Sequence, residues 1–357
     1  MQIIYDAQVY LAQKAGGISR YHYELFKGMR QSGHDARIAG LFVKNQYLLS
    51  DNQYRKSFIS DSTASFAFVN KFLLQRALKR MERNAIFHPA NSYRFLMSEM
   101  PKIQNKVFTI HDMIVEKQAG ASSNPTKLFF AQHASKIIAV SKTTKKDIVE
   151  LWGTNPDKIE VVYHGSSLHP QFVEKPSQHL PDNFLLYVGD RGGHKNFTTF
   201  ILAVADLLKK DSDLYLVCTG KRAFSSDEAQ IMKQLAIEKK VVFFSKPTDN
   251  ELAYLYCNAR AFIFPSLQEG FGIPILEAWA CKTPVVLSNN ACFNEIAAEA
   301  GCYFEPASQE SIRDAVEKVL RDKSLQKDLI KKGSTRLELF SWEKSVAQTS
   351  ELYKSLL

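Results

Sequence analysis

The chain has 357 residues, 45% of them hydrophobic and 23% charged, which is typical of globular domains and does not indicate disorder. This length exceeds one ordinary compact core and predicts two α/β domains of comparable size. The net charge of +9 leaves three kinds of partner open: nucleic acid, an anionic membrane surface, and a polyanionic ligand such as a nucleoside diphosphate.

Targeting, metal and disulfide patterns are not found. The amino-terminal string MQIIYDAQVY lacks the segments of a signal peptide, and no apolar run approaches the roughly 20 residues that span a bilayer. The five cysteines lack C-x-x-C spacing and the nine histidines lack H-E-x-x-H spacing. We therefore expect a cytoplasmic protein with reduced core thiols and no structural or catalytic metal.

The first domain is predicted as parallel strands alternating with helices. Strands are expected at residues 3–5, 37–43, 85–89, 106–110, 136–140 and 159–163. A loop leads to Gly16 and Gly17, which precede a helix over 18–31. The backbone can approach a pyrophosphate or sugar at such a glycine pair, although a flexible connection is the alternative. His111 and Asp112 follow the strand at 106–110, where an open α/β sheet binds ligands; a pair that only closes the loop is the alternative.

Residues 66–83 have a basic amphipathic pattern. Apolar side chains recur at helical spacing, and a cationic flank consists of Lys71, Arg76, Lys79, Arg80 and Arg83. The pattern predicts a helix that packs on the domain with a solvated face, and a helix on a membrane surface is the alternative. A mobile loop is expected within residues 45–65, where no period is found.

The second domain is expected after a polar linker over 166–182 that contains three prolines. It opens with a strand at 184–188 and a glycine-rich turn that carries Arg191 and Lys195 ahead of a helix. Amides and two cations at such a turn suit a diphosphate, and a solvated basic turn is the alternative. Lys246 and Pro247 follow a further strand at 241–245, and a helix is expected at the carboxyl terminus.

Residues 260–295 combine a strand, a glycine-containing turn, a helix and a second strand, in the string ARAFIFPSLQEGFGIPILEAWACKTPVVLSNNACFNE. Glu269 and Glu277 flank the turn with seven residues between them, so both carboxylates are expected near the carboxyl end of the strand and can bind hydroxyls. The amides of Gly270, Phe271, Gly272 and Ile273 can bind an anion or sugar hydroxyls. A capped helix start with two solvated glutamates is the alternative.

The string EGFGIPILEA resembles the E-x7-E signature of retaining glycosyltransferases of family 4, group 1. The strings AGGISRY, TIHDM and YVGDRGGHKN are similar to further motifs of this family, whose bacterial members include mannosyltransferases that build surface polysaccharide such as lipopolysaccharide. The resemblance implies the GT-B fold, with two Rossmann-like domains facing across a cleft. It places the acceptor in residues 1–165, the sugar nucleotide in 183–340, and a helix that returns to the first domain in 341–357.

The resemblance also implies roles for single residues. Glu269 would hold sugar hydroxyls, Glu277 the ribose, and Lys195 with Arg191 the leaving diphosphate together with the amides of residues 270–273. In this chain Asp190 follows the glycine, so the arginine comes one place later than in the family string. The remaining assignments are His111 to the sugar ring, Gly16 and Gly17 to the donor, Lys246 and Pro247 to the nucleobase, and Arg20 and Asp112 to the acceptor side.

The implied reaction is a front-side displacement that retains anomeric configuration and needs neither metal nor cofactor. The donor is expected to be GDP-mannose, with a UDP-linked hexose as the alternative. The acceptor is a glycan or lipid-linked glycan, and the latter would bring residues 66–83 to the inner face of the cell membrane. An epimerase or phosphorylase on the same fold, and a basic nucleic-acid-binding protein, are the alternatives; the intact E-x7-E string disfavours the first two, and the third has no recognisable module.

Overall fold

The computed structural model describes residues 1–49, 54–56, 63–220 and 222–357. The chain forms two compact units. Unit 1 contains Met1–Gly165 and Trp342–Leu357, and unit 2 contains Ser166–Ser341. The mobile loop predicted within residues 45–65 falls largely outside the described residues. No helix in the described part of the chain is both long enough and apolar enough to cross a bilayer.

Unit 1 is a parallel α/β structure. Its strands are β1 (Gln2–Asp6), β2 (Asp35–Ala39), β3 (Phe42–Val43), β4 (Arg55–Lys56), β5 (Ile86–His88), β6 (Val107–Ile110), β7 (Lys136–Ala139) and β8 (Ile159–Val161). Its helices up to residue 165 are α1 (Gln8–Ala12), α2 (Gly17–Gln31), α3 (Thr63–Lys79), α4 (Ile114–Ala119), α5 (Pro125–His133) and α6 (Lys142–Trp152). The strands pair in the orders β2-β1-β5 and β6-β7-β8, and a parallel bridge from Phe87 to Lys106 joins the two sets. Their carboxyl ends therefore lie at one edge.

Two predicted features of unit 1 are wrong. The expected loop before Gly16 contains α1, a short helix whose Val9, Tyr10 and Leu11 are buried. The strand expected over 37–43 is divided into β2 and β3 around Gly40. A Cβ at Gly40 would overlap the Ala7 side chain, so the chain passes close to α1 there and cannot continue as one straight strand.

Unit 2 contains a six-stranded parallel sheet in the order β11-β10-β9-β12-β13-β14. Its strands are β9 (Phe184–Val188), β10 (Tyr215–Gly220), β11 (Val241–Ser245), β12 (Ala261–Phe264), β13 (Val285–Ser288) and β14 (Cys302–Phe304). Its helices are α7 (Phe197–Lys210), α8 (Ser226–Gln234), α9 (Asp249–Asn258), α10 (Ile273–Ala280), α11 (Ala291–Ala297), α12 (Gln309–Arg321) and α13 (Lys323–Leu337). The central strand β12 is buried at all four positions, as expected for a strand covered on both faces.

The predicted linker packs as part of unit 2. Glu174 N donates to Asn250 O at 3.2 Å, and Gln178 Nε2 donates to Phe243 O at 3.3 Å. The prolines of residues 166–182 therefore belong to a segment that packs on unit 2, and its role as a linker stays a prediction.

The last helix, α14 (Trp342–Lys354), belongs to unit 1. It packs against α2, and Trp342, Leu352 and Tyr353 lie in the same buried cluster as the strand β1 side chains Ile3 and Tyr5. Unit 1 is thus completed by residues that follow unit 2 in the sequence.

Candidate functional site

The order of the unit 2 sheet reverses between β9 and β12. The strands β10 and β11 lie on one side of this pair, and β13 and β14 lie on the other. Ligands of open parallel sheets bind outside the carboxyl ends of the strands at such a switch point. The turns after β9 and β12 meet there, since Leu267 N donates to His194 O at 2.7 Å.

An ion pair joins these two turns. The Nζ atom of Lys195, after β9, lies 2.5 Å from Oε1 of Glu269, after β12, and the two side chains are 22% and 12% exposed. The same ammonium lies 5.7 Å from the centre of the Phe264 ring. A cation and a carboxylate therefore stand together at the switch point, and both keep some access to solvent.

The helix α10 begins directly after this ion pair. Its N-cap residue Gly272 has φ of 100°, and a Cβ there would lie 3.2 Å from both Ile275 and Phe293. Glycine is required on both counts, because left-handed backbone and close packing disfavour other residues. Pro274 occupies the first turn, where it costs no intrahelical hydrogen bond. The amino end of α10 therefore lies beside Glu269, and the first amides of a helix attract anions.

Glu277 lies one turn into α10 and has a different partner. Its Oε2 atom accepts a hydrogen bond of 3.0 Å from the hydroxyl of Tyr256, a buried residue of α9. The two carboxylates of the E-x7-E string are thus held separately, Glu269 by a cation and Glu277 by a phenol. Sequence reasoning missed Tyr256, which gives no signal beyond an aromatic residue in a helix.

Four buried polar atoms near the carboxyl ends of β10, β12 and β13 lack a partner among the described residues. They are Thr219 Oγ1, Ser266 Oγ, Gln268 Oε1 and Ser288 Oγ. Burial of an unpaired polar group costs free energy, so such atoms indicate where a polar ligand or water adds hydrogen bonds. Ser266 and Gln268 precede Glu269 in the string PSLQE. Their position directly before the predicted site residue Glu269 is the sequence signal that could have identified them.

Unit 1 has a cluster of aromatic side chains at the carboxyl edge of its sheet. The His111 ring, after β6, packs edge-on against Tyr21 with centroids 5.1 Å apart, and the rings of His22 and His164 lie 6.0 and 5.9 Å away. Burial lowers the pKa of His111 to about 4, so the imidazole is neutral at pH 7. Its Nε2 atom is enclosed and has no hydrogen-bond partner among the described residues.

A buried hydrogen-bond chain supports this cluster. His88 Nδ1 lies 2.5 Å from the Tyr353 hydroxyl, and His88 Nε2 lies 2.8 Å from Thr109 Oγ1. The chain continues from Thr109 to the Tyr21 hydroxyl at 3.0 Å and from Tyr353 to the Tyr5 hydroxyl at 3.2 Å. Burial lowers the pKa of His88 to about 3, so this histidine is also neutral.

Comparison with family models covers most of the chain. Residues 15–169 match the model of glycosyltransferase family 4, and residues 170–336 match the model of glycosyl transferases group 1. The two matches adjoin each other and together cover residues 15–336. The chain belongs to glycosyltransferase family 4, group 1.

Curated relatives include two O-antigen enzymes. The O-antigen chain mannosyltransferase RfbU of Salmonella typhimurium is 29% identical over 227 residues, which are 62% of this chain and 62% of the relative. The O-antigen chain mannosyltransferase B of Escherichia coli is 27% identical over 301 residues, which are 77% of this chain and 75% of the relative. The first match therefore spans less than two thirds of that relative's length.

Solved structures establish the fold. Anabaena Alr3699/HepE, in complex with UDP and glucose, superposes with a TM-score of 0.76 at 17% identity over 99% of this chain and all of that chain. WaaG, a glycosyltransferase involved in lipopolysaccharide biosynthesis, superposes with a TM-score of 0.71 at 18% identity over 98% and 99%. The family 4 glycosyltransferase described here has the GT-B fold, as predicted.

Arg191 of this glycosyltransferase does not share the position of Lys195. Its guanidinium donates to Glu228 Oε1 at 2.9 Å and to the carbonyl oxygens of Arg222 and Ala223 at 2.8 and 2.7 Å. The ring centroids of Phe224 and Phe243 lie 4.7 and 5.2 Å away, and the side chain is 5% exposed. The structure thus brings Lys195 and Glu269 together, whereas Arg191 is held by α8 and the turn before it.

The other predicted site residues of the enzyme lie in separate places. Gly16 and Gly17 form the amino end of α2, and Arg20 stacks on Tyr47 at 3.9 Å. Asp112 Oδ1 accepts from Ile114 N at 3.2 Å, which is the loop-closing contact considered as its alternative role. Lys246 and Pro247 follow the edge strand β11, two strands away from β9. Their donor and acceptor roles stay predictions.

Proposed function

We propose that the enzyme transfers a mannosyl group from GDP-mannose to a glycan acceptor in bacterial surface polysaccharide synthesis, with retention of anomeric configuration and without a metal ion. The observation that carries the proposal is the Lys195–Glu269 ion pair at the switch point beside the amino end of α10. It supplies a cation for a diphosphate and a carboxylate for sugar hydroxyls in one place. The mannosyl donor rests on the similarity to the two O-antigen mannosyltransferases. A UDP-hexose is the alternative, because the HepE structure contains UDP and glucose.

In the proposed reaction, the diphosphate binds Lys195 and the first amides of α10. Glu269 then exchanges its ammonium partner for sugar hydroxyls, and Glu277 binds the ribose. The acceptor oxygen bonds to the anomeric carbon on the face from which the diphosphate leaves, and the acceptor proton passes to a diphosphate oxygen. Lys195 contributes most where charge grows on the leaving group, because such an interaction is stronger in the transition state than in the ground state.

His111 has a positioning part in this proposal. Burial keeps the pKa of this imidazole at about 4, so it stays neutral and can donate a hydrogen bond to the sugar without delivering a proton. The unpaired Nε2 atom is the group that would make this contact. No general base is assigned, since the leaving diphosphate accepts the acceptor proton.

The donor is tested by calorimetry with GDP, UDP and ADP and their hexose conjugates in excess EDTA. Binding of GDP and GDP-mannose, abolished in Lys195→Ala, supports the proposal, and binding of UDP conjugates instead supports the alternative donor. NMR of the product then reads the anomeric configuration. Inversion, or activity that EDTA abolishes, would contradict the mechanism. Binding of none of the nucleotides, with or without a glycan acceptor, would contradict the function.

We also propose that the enzyme rests on an anionic membrane through α3. Phe68 and Phe72, one turn apart, are 69% and 56% exposed. Further along the helix, Arg76 and Arg80 line a cavity of about 310 Å³ together with Arg37. The apolar part of its lining consists of Ile4, Ile38, Ala39, Leu73 and Ala77. Arg37 is paired with Asp35, whereas Arg76 and Arg80 form no ion pair within the described residues. Exposed aromatic side chains beside unpaired cations suit an anionic bilayer surface.

Vesicle sedimentation tests this contact. The enzyme should bind vesicles that contain phosphatidylglycerol and should dissociate from them in high salt. It should not bind neutral phosphatidylcholine vesicles. The variants Arg76→Glu/Arg80→Glu and Phe68→Ser/Phe72→Ser should each lose binding. Lys209→Glu/Lys210→Glu makes the same charge change on the exposed end of α7 and should bind as before. Equal losses in this control would show that only net charge matters and would overturn α3 as the contact.

A further inference from the structure

Two cysteines of unit 2 face each other beside the partner of Glu277. Cys257 lies in the last turn of α9 and is exposed, whereas Cys281 follows α10 and is buried. A side-chain hydrogen bond between the two thiols is the leading cause of the pKa shift of each. Their backbones are also tied, because Thr283 Oγ1 donates to Tyr256 O at 2.6 Å and lies 3.5 Å from Cys281 O.

The two thiols differ in reactivity. The hydrogen bond with Cys281 lowers the pKa of Cys257, and the same hydrogen bond, together with burial, raises the pKa of Cys281. Thiolate character and exposure are what make a cysteine react with oxidants. Cys257 has both, and Cys281 stands where a second thiol can attack the oxidised sulfur.

The other cysteines lack this arrangement. Burial raises the pKa of Cys302 and of Cys218. The thiol of Cys292 donates to Phe271 O at 3.2 Å. The sequence-based expectation of core thiols therefore holds for Cys218, Cys281 and Cys292 but is wrong for Cys257, which is exposed.

We propose that Cys257 and Cys281 form a reversible oxidation site for peroxides. The Cys257 thiolate attacks one peroxide oxygen and the O–O bond breaks. The departing hydroxide takes up the proton that the thiol released on ionisation, so a sulfenic acid and water result. The sulfur of Cys281 then attacks the Cys257 sulfur, its proton leaves with the hydroxyl as a second water, and a disulfide remains. Hydrogen peroxide is reduced to two waters while two thiols are oxidised, and a dithiol reductant reverses the reaction.

Formation of the disulfide would shift the group that holds the Glu277 carboxylate. Tyr256, adjacent to Cys257, donates to the Glu277 carboxylate, and Cys281 N donates to Glu277 O at 3.2 Å. A bond between the sulfurs draws these two backbone segments together and shifts the phenol that holds the carboxylate. This consequence rests on the proposed function, in which Glu277 binds the donor ribose, whereas the disulfide itself does not.

The experiment treats the reduced enzyme with hydrogen peroxide and counts thiols in denaturant. The count should fall from five to three, and a non-reducing digest should show one bridge, between the peptides of Cys257 and Cys281. Cys257→Ser should keep all its thiols, and Cys281→Ser should stop at a sulfenic acid that dimedone traps on Cys257. Cys302→Ser, the control, should still form the bridge. An unchanged count, or a bridge between other cysteines, would overturn the site.

Calorimetry before and after oxidation tests the link to Glu277. The nucleotide that binds the reduced enzyme should bind the disulfide form about tenfold more weakly, an effect of the size expected when one hydrogen-bonded group is displaced. Unchanged affinity would refute the link while the bridge stands. Failure of the reduced enzyme to bind any nucleotide would count against the proposed function alone, because the thiol count is independent of it.

Discussion

The ammonium of Lys195 and the carboxylate of Glu269 neutralise each other at 2.5 Å, and in the proposed reaction a diphosphate sugar separates them. Both ions are then satisfied again, Lys195 by phosphate and Glu269 by hydroxyls. The pair keeps the site ordered and holds two polar groups ready for ligand.

Lys195→Ala should lower kcat by about 10²- to 10³-fold, the usual effect of removing one group that stabilises transition-state charge. Thermal stability should change little, because the side chain is partly exposed and Glu269 can be solvated. Steady-state kinetics and a melting curve measure both. Lys332→Ala breaks another Lys–carboxylate pair, the exposed 2.8 Å contact with Asp328, and should leave kcat unchanged. Equal kcat values for the two variants would contradict the role of Lys195.

The Arg191 side chain should contribute to folding stability rather than to kcat. Arg191→Ala leaves the Glu228 carboxylate and two carbonyl oxygens without their donor and opens a space between the rings of Phe224 and Phe243. Breaking a largely buried pair in this way costs about 3–5 kcal/mol. Denaturant unfolding should show this loss, and Arg191→Lys should recover only part of it because it cannot make the same forked contacts. A fully stable Arg191→Ala variant with reduced nucleotide affinity would place Arg191 in the diphosphate site after all.

The sequence predicted some of these contacts and not others for a physical reason. Glu269 and Lys195 each follow a strand, and parallel strands bring their carboxyl ends to one edge, so proximity could be inferred from order alone. The pairing of Arg191 with Glu228 depends on how α8 lies against the turn after β9, and no periodic pattern contains that information. The same holds for His88 and Tyr353, which are 265 positions apart.

Some strands were predictable even where burial is incomplete, since only two of the five residues of β11 are buried. The strands β9 and β11 were expected at their observed limits, because a short apolar run bounded by turn residues leaves one interpretation. The helix α1 was missed because five residues are too few to show a helical period. The division of β2 from β3 was missed because it arises from the approach of Gly40 to Ala7, a contact made in three dimensions.

The packing of helix α14 against helix α2 gives a prediction about stability. Gly28 of α2 faces Val346 of α14, and a Cβ at Gly28 would overlap the Val346 side chain. Gly28→Ala should gain about 1 kcal/mol of helix propensity but lose about 1–3 kcal/mol through overpacking, because a β-branched side chain cannot turn aside. The matched variant Gly28→Ala/Val346→Ala removes the overlap and should recover stability in denaturant unfolding. If the double variant were no more stable than Gly28→Ala, the contact would not be the cause.

For the whole molecule, the uneven distribution of buried histidines sets the response to acid. Unit 1 contains His22, His88, His111 and His164, and burial lowers the pKa of each, to about 3 for His88 and about 4 for His111. Above pH 6.5 these histidines are neutral in the folded and unfolded chain, and they do not change stability. Below it the unfolded chain binds protons that the folded unit excludes, so the free energy of unfolding falls by up to about 1.4 kcal/mol per histidine for each pH unit.

One carboxyl of unit 1 acts in the opposite direction. Burial raises the pKa of Asp6 to about 6, although its hydrogen bonds from Ala90 N and Gln8 N work against this. Between pH 6 and about 4 the folded unit therefore binds a proton at Asp6 that the unfolded chain does not, which adds stability as the pH falls. The stabilising effect of one carboxyl is smaller than the destabilising effect of four histidines, so acid lowers the free energy of unfolding of unit 1.

We therefore expect unit 1 to unfold between pH 6 and 4 while the sheet of unit 2 stays folded. Hydrogen exchange with mass spectrometry follows the two units separately, and peptides from β1, β5 and α14 should lose protection at a higher pH than peptides from β9 and β12. His88→Gln keeps a polar group between Tyr353 and Thr109 but removes one titrating ring, so it should reduce the pH dependence of unit 1, whereas His179→Gln, at an exposed position of unit 2, should not. Simultaneous loss of protection in both units, or full protection of unit 1 down to pH 4, would show that the neutral histidines are not what limits stability in acid.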